Sequence, residues 1–175
     1  MKVAVLCNGP SRTVYKGRGD YEFVMGCNIP WSTDVDATVV IDKNVVSKWF
    51  KEQHLINVPT YFSRRAWSEC INRERRFFRE YSKGLIDVGQ EYDSSGHCAV
   101  RVVLSLGATN IDIYGCDSMF KETTVSYTNT FIPKSEFKNV KKQTDGWKNT
   151  WNNIISKHPD VRFNFIGEND EIISY

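Results

Sequence analysis

Apolar residues in this chain fall into short blocks, and each block ends on a polar or glycine-containing break. Lys2-Val3-Ala4-Val5-Leu6-Cys7 is a continuous apolar run that predicts a first buried strand, and Asn8-Gly9-Pro10-Ser11 breaks it into a tight loop. Residues 22–28 predict a second strand ending on Asn28, and residues 37–42 a third ending on Asp42. Residues 59–62 predict a short fourth. Asn44 caps a helix running to Lys51, with Val45, Val46, Trp49 and Phe50 as its apolar positions.

The period then changes. Trp67, Cys70, Ile71, Phe77, Phe78 and Tyr81 recur at three and four residues, which predicts one amphipathic helix over 65–81. Its other face carries Arg64, Arg65, Arg73, Arg75, Arg76 and Arg79 against Glu69, Glu74 and Glu80. A solvated charged face is the ordinary reading, and an anionic-ligand patch the sharper one. Residues 84–93 read as a loop. Ser94-Ser95-Gly96 opens a helix so apolar through Leu106 that it belongs in the interior, and Gly107 ends it. Asn110–Tyr114 is a further strand, closed by Gly115-Cys116-Asp117. Residues 118–144 are polar and irregular; a loop of that length reads as an ordered lid anchored by Tyr127, Phe131 and Phe137. A final helix runs from Thr144 or Asp145 to Lys157, and residues 161–166 form the last strand.

Strands alternating with helices predict an α/β fold: a Rossmann-like three-layer sandwich with a mostly parallel central sheet and a lid-like loop, in one domain over 1–175. In such sheets ligands sit outside the carboxyl ends of the strands, so Asn8, Asn28 and Asp42 should converge on one edge. There, Gly9 lets a ligand approach the backbone. Asn8 offers a donor and an acceptor, and the Ser11 hydroxyl can cap a helix or hold a phosphate.

Composition narrows the partners. The 175 residues are 41% hydrophobic and 25% charged, with net charge +2, which gives no general pull toward nucleic acid or membrane. No apolar stretch approaches the roughly 18–20 residues that span a bilayer, and Met1 leads straight into the first strand, so the expectation is a cytoplasmic protein. The five cysteines have no C-x-x-C spacing and read as buried thiols, not as a zinc site.

His97, at the start of the buried helix, would have its pKa lowered by the helix N-terminus and so be a neutral base; a capping or core histidine is the plainer reading. Asp34, Asp36 and Asp42 offer carboxylates to a divalent cation that bridges phosphates. Trp31 can stack on a base or pack over a sheet edge. Lys134, Lys141 and Lys142 can offset the charge of a departing diphosphate or be simply solvated.

Three stretches carry a resemblance: Asn8-Gly9-Pro10-Ser11, Gly26-Cys27-Asn28, and Ser94-Ser95-Gly96 through Leu106-Gly107 to Ile113-Tyr114-Gly115-Cys116-Asp117. In order and spacing they resemble the bacterial sialyltransferases of glycosyltransferase family 42. They are also similar to the related Maf-like flagellin glycosyltransferases and hydroxymethylpterin diphosphokinases. The resemblance implies that Asn8 and Asn28 contact the phosphate or ribose of a nucleotide. It also implies that Ser95 and Gly96 lie near a cytidine, with Asp117 near the ribose or base. The chain departs from that pattern. Residues 140–145 hold no histidine for the general base, and after Asp117 the chain reads Ser118-Met119-Phe120, leaving Tyr127 to supply the second of two expected tyrosines.

The reading from sequence is a transferase using a nucleotide-activated sugar. Asn8, Gly9, Pro10, Ser11, Asn28, Ser94, Ser95, Gly96, Asp117 and Tyr127 hold the donor, and His97 or Asp42 deprotonates an unknown acceptor. No metal is required, although Mg²⁺ would serve the second reading, a pterin-diphosphokinase-like phosphotransferase. A third reading is a nucleotide-binding protein without turnover. A homo-oligomer is compatible with any of them.

Overall fold

The computed structural model describes residues 1–30, 32, 34–51, 58–89, 93–122, 125–126, 138–139 and 144–175. Its strands are β1 (Lys2–Leu6), β2 (Phe23–Cys27), β3 (Ala37–Val40), β4 (Thr60–Ser63), β5 (Ser82–Ile86), β6 (Asn110–Tyr114), β7 (Val125–Ser126), β8 (Lys138–Asn139), β9 (Arg162–Ile166) and β10 (Ile172–Ser174). Its helices are α1 (Lys43–Lys51), α2 (Arg64–Glu69), α3 (Asn72–Phe78), α4 (Ser95–Ser105) and α5 (Thr144–Ser156).

Eight strands form one sheet in the order β10-β9-β6-β1-β2-β3-β4-β5, while β7 and β8 pair by themselves. Every pairing in the large sheet is parallel except that of β10 with β9. The apolar run of β1 explains its central place. Val3 and Val5 point to one face and Ala4 and Leu6 to the other, and all four are at most 1% exposed. Val3 and Val5 join Ile111, Ile113, Phe163 and Phe165 beneath α4 and α5. Ala4 and Leu6 join Val24, Val40 and Phe62 against α1, α2 and α3. Helices thus flank the sheet on both faces, as the sequence predicts.

From β1 the chain builds outward through β2, β3 and β4 to β5, then returns through α4 to lay β6 on the other side of β1. The direction of winding reverses between β1 and β6. Ligands bind at such switch points because the loops on either side diverge and leave a crevice.

The structure departs from the sequence reading in three places. The predicted helix over 65–81 is two helices, because Cys70 (φ −69°, ψ 137°) and Ile71 (φ −73°, ψ 161°) are extended. Side chains hold that elbow. The Glu74 carboxylate accepts from the Ile71 N–H at 3.0 Å, from Ser47 Oγ at 2.8 Å and from Lys43 Nζ at 2.5 Å. Arg75 meanwhile donates to the last carbonyls of α2, at Trp67 and Ser68. Periodicity cannot register such a break, since the apolar spacing continues through it. Residues 82–86, in part assigned to a loop, form edge strand β5. And β9 is not the last strand, because β10 folds back on it. The lid expected over 118–144 falls largely outside the described residues.

Glu74 is 4% exposed and bonded on three sides. Burial raises its pKa, but the hydrogen bonds from Lys43, Ser47 and Ile71 outweigh that and leave it below the ordinary carboxylate value. Glu74→Gln removes the charge that pairs with Lys43, whose ammonium otherwise donates to the Ser47 hydroxyl. It should cost about 2 kcal/mol in urea denaturation, the range for hydrogen bonds to charged groups. A loss within a few tenths of a kcal/mol would show that the elbow does not depend on the charge.

Candidate functional site at the strand switch point

The tips of β1 and β6 are tied together by backbone. The Cys7 N–H donates to the Tyr114 carbonyl and the Gly9 N–H to the Gly115 carbonyl, both at 2.8 Å. This closeness explains the glycines. A β-carbon on Gly9 would lie 2.1 Å from Asp117 Oδ2 and 2.5 Å from the Gly115 carbonyl oxygen. Gly115 takes φ +71°, and a β-carbon there would lie 2.5 Å from the Cys7 carbonyl oxygen.

Asp117 and Ser11 lock the tips from behind. Asp117 Oδ2 accepts from the Ser11 N–H and from Ser11 Oγ, each at 3.1 Å, and Ser11 Oγ accepts from the Gly115 N–H at 3.2 Å. Ser11 is fully buried and spent in this network, so it holds the 3-10 turn over Pro10–Val14 in place and is not presented to a ligand. Pro10 opens that turn. Burial raises the Asp117 pKa, partly opposed by the Ser11 hydrogen bonds.

Helix α4 starts against these tips. Ser94 is its N-cap, and the Ser94 hydroxyl accepts from the His97 N–H. His97 Nδ1 accepts from the Ser94 N–H at 2.9 Å, which places the ring proton on Nε2, where it donates to the Trp147 carbonyl at 3.1 Å. Burial holds the His97 pKa down, to about 4, against the opposing pull of Asp93. The imidazole is therefore neutral, through burial and not through the helix N-terminus as the sequence reading had it. Both its nitrogens are occupied, however, and it is fully buried. It is a clamp between α4 and α5 and has no nitrogen left to take an acceptor's proton.

The N–H groups of Ser95 and Gly96 occupy the first two helical positions, where an α-helix supplies no acceptor. Both residues line a pocket whose wall also includes Cys7, Asn8, Gly9, Gly115 and Asp117. Gly96 is needed there, because a β-carbon would lie 2.8 Å from Cys7 Sγ. Asn8 Nδ2 donates to the Cys27 carbonyl at 3.0 Å, and that bond fixes the amide so that Oδ1 is left buried without a partner. Asn28, at the tip of β2 with φ +59°, has its own buried Oδ1 without a partner. Such atoms are rare in folded proteins and call for an explanation. Burial and the adjacent Cys7 thiol push the Cys116 thiol well above its ordinary pKa, so Cys116 stays protonated in the pocket wall.

The other expected residues lie elsewhere. Asp34 and Asp36 are engaged by Arg18 at 2.9 Å, and Asp36 also binds the Val24 N–H at the amino end of β2, away from the strand tips. Asp42 is on the correct edge but in a separate cleft over β3–β5. Tyr127, Trp31, Lys134, Lys141 and Lys142 lie outside the described residues. Among the described residues no three histidine, cysteine or acidic side chains gather as a metal cluster. Sequence reasoning missed Trp147 and Trp151, which wall the pocket from α5. Their four-residue spacing places them on one face of the last helix, which by itself marks no ligand site.

No helix among the described residues is long and apolar enough to cross a membrane. No protein-family model matches the chain, and no curated protein does. Two solved structures are similar. A probable thiamine pyrophosphokinase from Staphylococcus saprophyticus subsp. saprophyticus is similar over 96% of this chain and 66% of that one, at 13% identity and a TM-score of 0.43. Thiamine pyrophosphokinase from Bacillus subtilis is similar over 96% and 61%, at 13% identity and a TM-score of 0.39. The chain thus spans under two thirds of the length of either. The resemblance to family 42 sialyltransferases is corrected by these findings, since the matching structures are thiamine pyrophosphokinases and no sialyltransferase is among them.

Proposed function

We propose that this chain binds a nucleotide by its phosphates at the switch point and transfers a phosphoryl or diphosphoryl group from it to a small acceptor. One observation carries the reading: Ser95 and Gly96, at the first two positions of α4, line the same pocket as Asn8, whose Oδ1 is buried without a partner. Helix N-terminal N–H groups favour phosphate oxygens. An unpartnered carbonyl oxygen favours the opposite, a donor or a cation.

Both needs are met by a nucleotide that travels with Mg²⁺. The residues fit that ion. Asn8 Oδ1 and the Asp117 carboxylate are hard oxygen donors on one wall. Mg²⁺ takes only one or two protein ligands beside phosphate and water, so it requires no three-residue cluster. Bound there, it would neutralise charge on the transferring group. The chain's own residues do the rest. The α4 N-terminus orients the phosphates. Gly9, Gly96 and Gly115 let the β1 and β6 tips and the start of α4 pack closely enough to form the pocket wall, and Trp147 and Trp151 exclude water on the α5 side. Phosphoryl transfer rests mostly on positioning and charge, so it asks little of a general base. A nucleotide-binding protein without turnover is the second reading, supported by the locked state of His97.

Saturating ATP with Mg²⁺ should raise the melting temperature by about 5–10 °C, as expected for ligand near a hundredfold above Kd on a chain of this size. Asn8→Ala should fold and lose most of that shift. Absence of a shift with ATP, ADP and pyrophosphate would overturn the reading. Release of AMP marks diphosphoryl transfer, release of ADP marks phosphoryl transfer, and recovery of intact ATP favours the second reading.

A further inference from the structure

The net charge of +2 hides an uneven spread. Residues 43–51 and 64–83, which hold α1, α2, α3 and the start of β5, carry ten basic side chains against three acidic ones. The rest of the chain carries thirteen against eighteen. The three helices pack on one face of the sheet, around Val24, Val40 and Phe62. That face is therefore a basic layer on a chain of small total charge, and it sets up a local potential that the total conceals.

Its charges are not equally available. Arg64 pairs with Asp87 at 2.9 Å and Arg65 with Glu69 at 3.1 Å. Arg75 donates to the Trp67 and Ser68 carbonyls, and Lys43 to Glu74. Arg73, Arg76 and Arg79 differ from these. Helix α3 turns Glu74 and Phe78 inward, so the three arginines, three residues apart, fall on its outward side. All three are exposed, and among the described residues none has an ion pair or a side-chain hydrogen bond. The same holds for Lys51, which ends α1, and for Lys83 in β5. Phe50, beside Lys51, packs on Phe77 of α3 with ring centroids 5.5 Å apart. Glu80 is the acidic residue beside the arginines, and it leaves the group strongly positive. Like charges on neighbouring positions of a helix surface repel, so the stripe works against the helix that carries it. A bound polyanion relieves that repulsion.

We infer that the outward side of α3 is a docking surface for the phosphate backbone of a nucleic-acid duplex, bound without reading its sequence. Guanidinium groups suit phosphate, because their planar fork donates two parallel hydrogen bonds. Residues 73 to 79 span about 9 Å of helix. That length matches two or three phosphates of one strand at roughly 3.4 Å axial rise each. A bilayer fits less well. Interfacial helices need a broad apolar face, whereas α3 has seven residues and packs Phe77 and Phe78 toward the core, leaving Ile71, 57% exposed, as the apolar side chain beside the stripe. A single strand also fits less well, because such strands stack on exposed aromatic rings. Among the described residues the aromatic with a strongly exposed side chain is Tyr175, beyond β10 at the opposite end of the sheet from β5.

A fluorescein-labelled DNA duplex of about 20 base pairs and mixed sequence is the probe. Followed by anisotropy without ATP in about 50 mM salt, the full chain should bind it with a Kd of roughly 1–100 µM. The logarithm of the binding constant should fall with that of salt at a slope of about −3 to −4, close to one per contacting cation. Arg76→Gln should weaken binding about tenfold and make the slope shallower by about one. Lys157→Gln, just past α5 on the other face of the sheet, changes the net charge equally and should alter neither. Both side chains are exposed, and thermal unfolding reports that each variant is folded. Four results would overturn the inference: no binding at about 100 µM protein, an equal effect of the two substitutions, tighter binding of one strand alone, or binding to phosphatidylcholine vesicles with about 30% phosphatidylserine but not to the duplex. The surface does not depend on the function proposed above. Arg76→Gln should keep the full ATP shift, and a parent chain with no ATP shift would still bind the duplex.

Discussion

Gly9→Ala should be strongly damaging for a single added methyl, costing about 3 kcal/mol and lowering the melting temperature by about 6–12 °C. The backbone is not the reason, because Gly9 has φ −78° and ψ 167°, which alanine accepts. The cost is steric. The new β-carbon would meet Asp117 Oδ2 at 2.1 Å and the Gly115 carbonyl oxygen at 2.5 Å, and real β-carbons essentially never come within 3.0 Å of such atoms. Neither obstacle is a loose side-chain end. Asp117 is held by Ser11, and the Gly115 carbonyl is bonded to the Gly9 N–H itself. Relief therefore requires the β1 and β6 tips to separate, which also dismantles the anion pocket. The variant should lose the nucleotide shift along with stability, and thermal unfolding with and without ATP and Mg²⁺ measures both. A variant that melts within 2 °C of the parent, about half a kcal/mol on the same scale, would mean that the tips are not as closely tied as described.

Acid should weaken the fold through His97. Its pKa in the folded chain is about 4, against an ordinary value of 6.5, chiefly because burial penalises the imidazolium. Above pH 6.5 the ring is neutral whether folded or unfolded and contributes no pH dependence. As pH falls from 6.5 toward 4 the unfolded chain takes up a proton that the folded chain refuses, so stability drops. Below pH 4 both forms are protonated and the loss levels off. A depression of this size corresponds to about 3 kcal/mol. His97→Gln removes the titration. Urea unfolding at pH 7 and pH 4.5 should therefore show a smaller acid loss in the variant by roughly 2–3 kcal/mol. Parallel losses in the two proteins would place the acid sensitivity elsewhere.

The same residue shows how far sequence carries the site. Its position at a helix start led to the expectation of a neutral imidazole, but it is burial that keeps the ring neutral. That it cannot act as a base follows from the Ser94 N–H on one nitrogen and the Trp147 carbonyl on the other, and Trp147 is fifty residues away. Ser11 is a similar case. A serine behind Asn-Gly-Pro suits a phosphate, and only the placement of Asp117, 106 residues on, reveals that its hydroxyl is already engaged. Asp34, Asp36 and Asp42 looked like one acidic stretch. The fold sends the first two to an arginine at the amino end of the sheet and the third to a cleft at the carboxyl end, because β3 separates them along its length.

The sequence by itself determined most of the strands and the edge on which Asn8, Asn28 and Asp42 lie. Short continuous apolar runs bounded by turn residues read as buried strands, and the polar and glycine residues that end them lie at their tips. That much depends only on neighbours along the chain. Tertiary structure decided which tips touch, which polar atoms consume one another and which, like Asn8 Oδ1, are left over. The reason is that hydrogen bonds and van der Waals contacts act over a few ångströms of space. The sheet order that sets Asn8 beside Cys27 and Gly9 beside Asp117 is fixed by burial of the whole core, not by any local pattern.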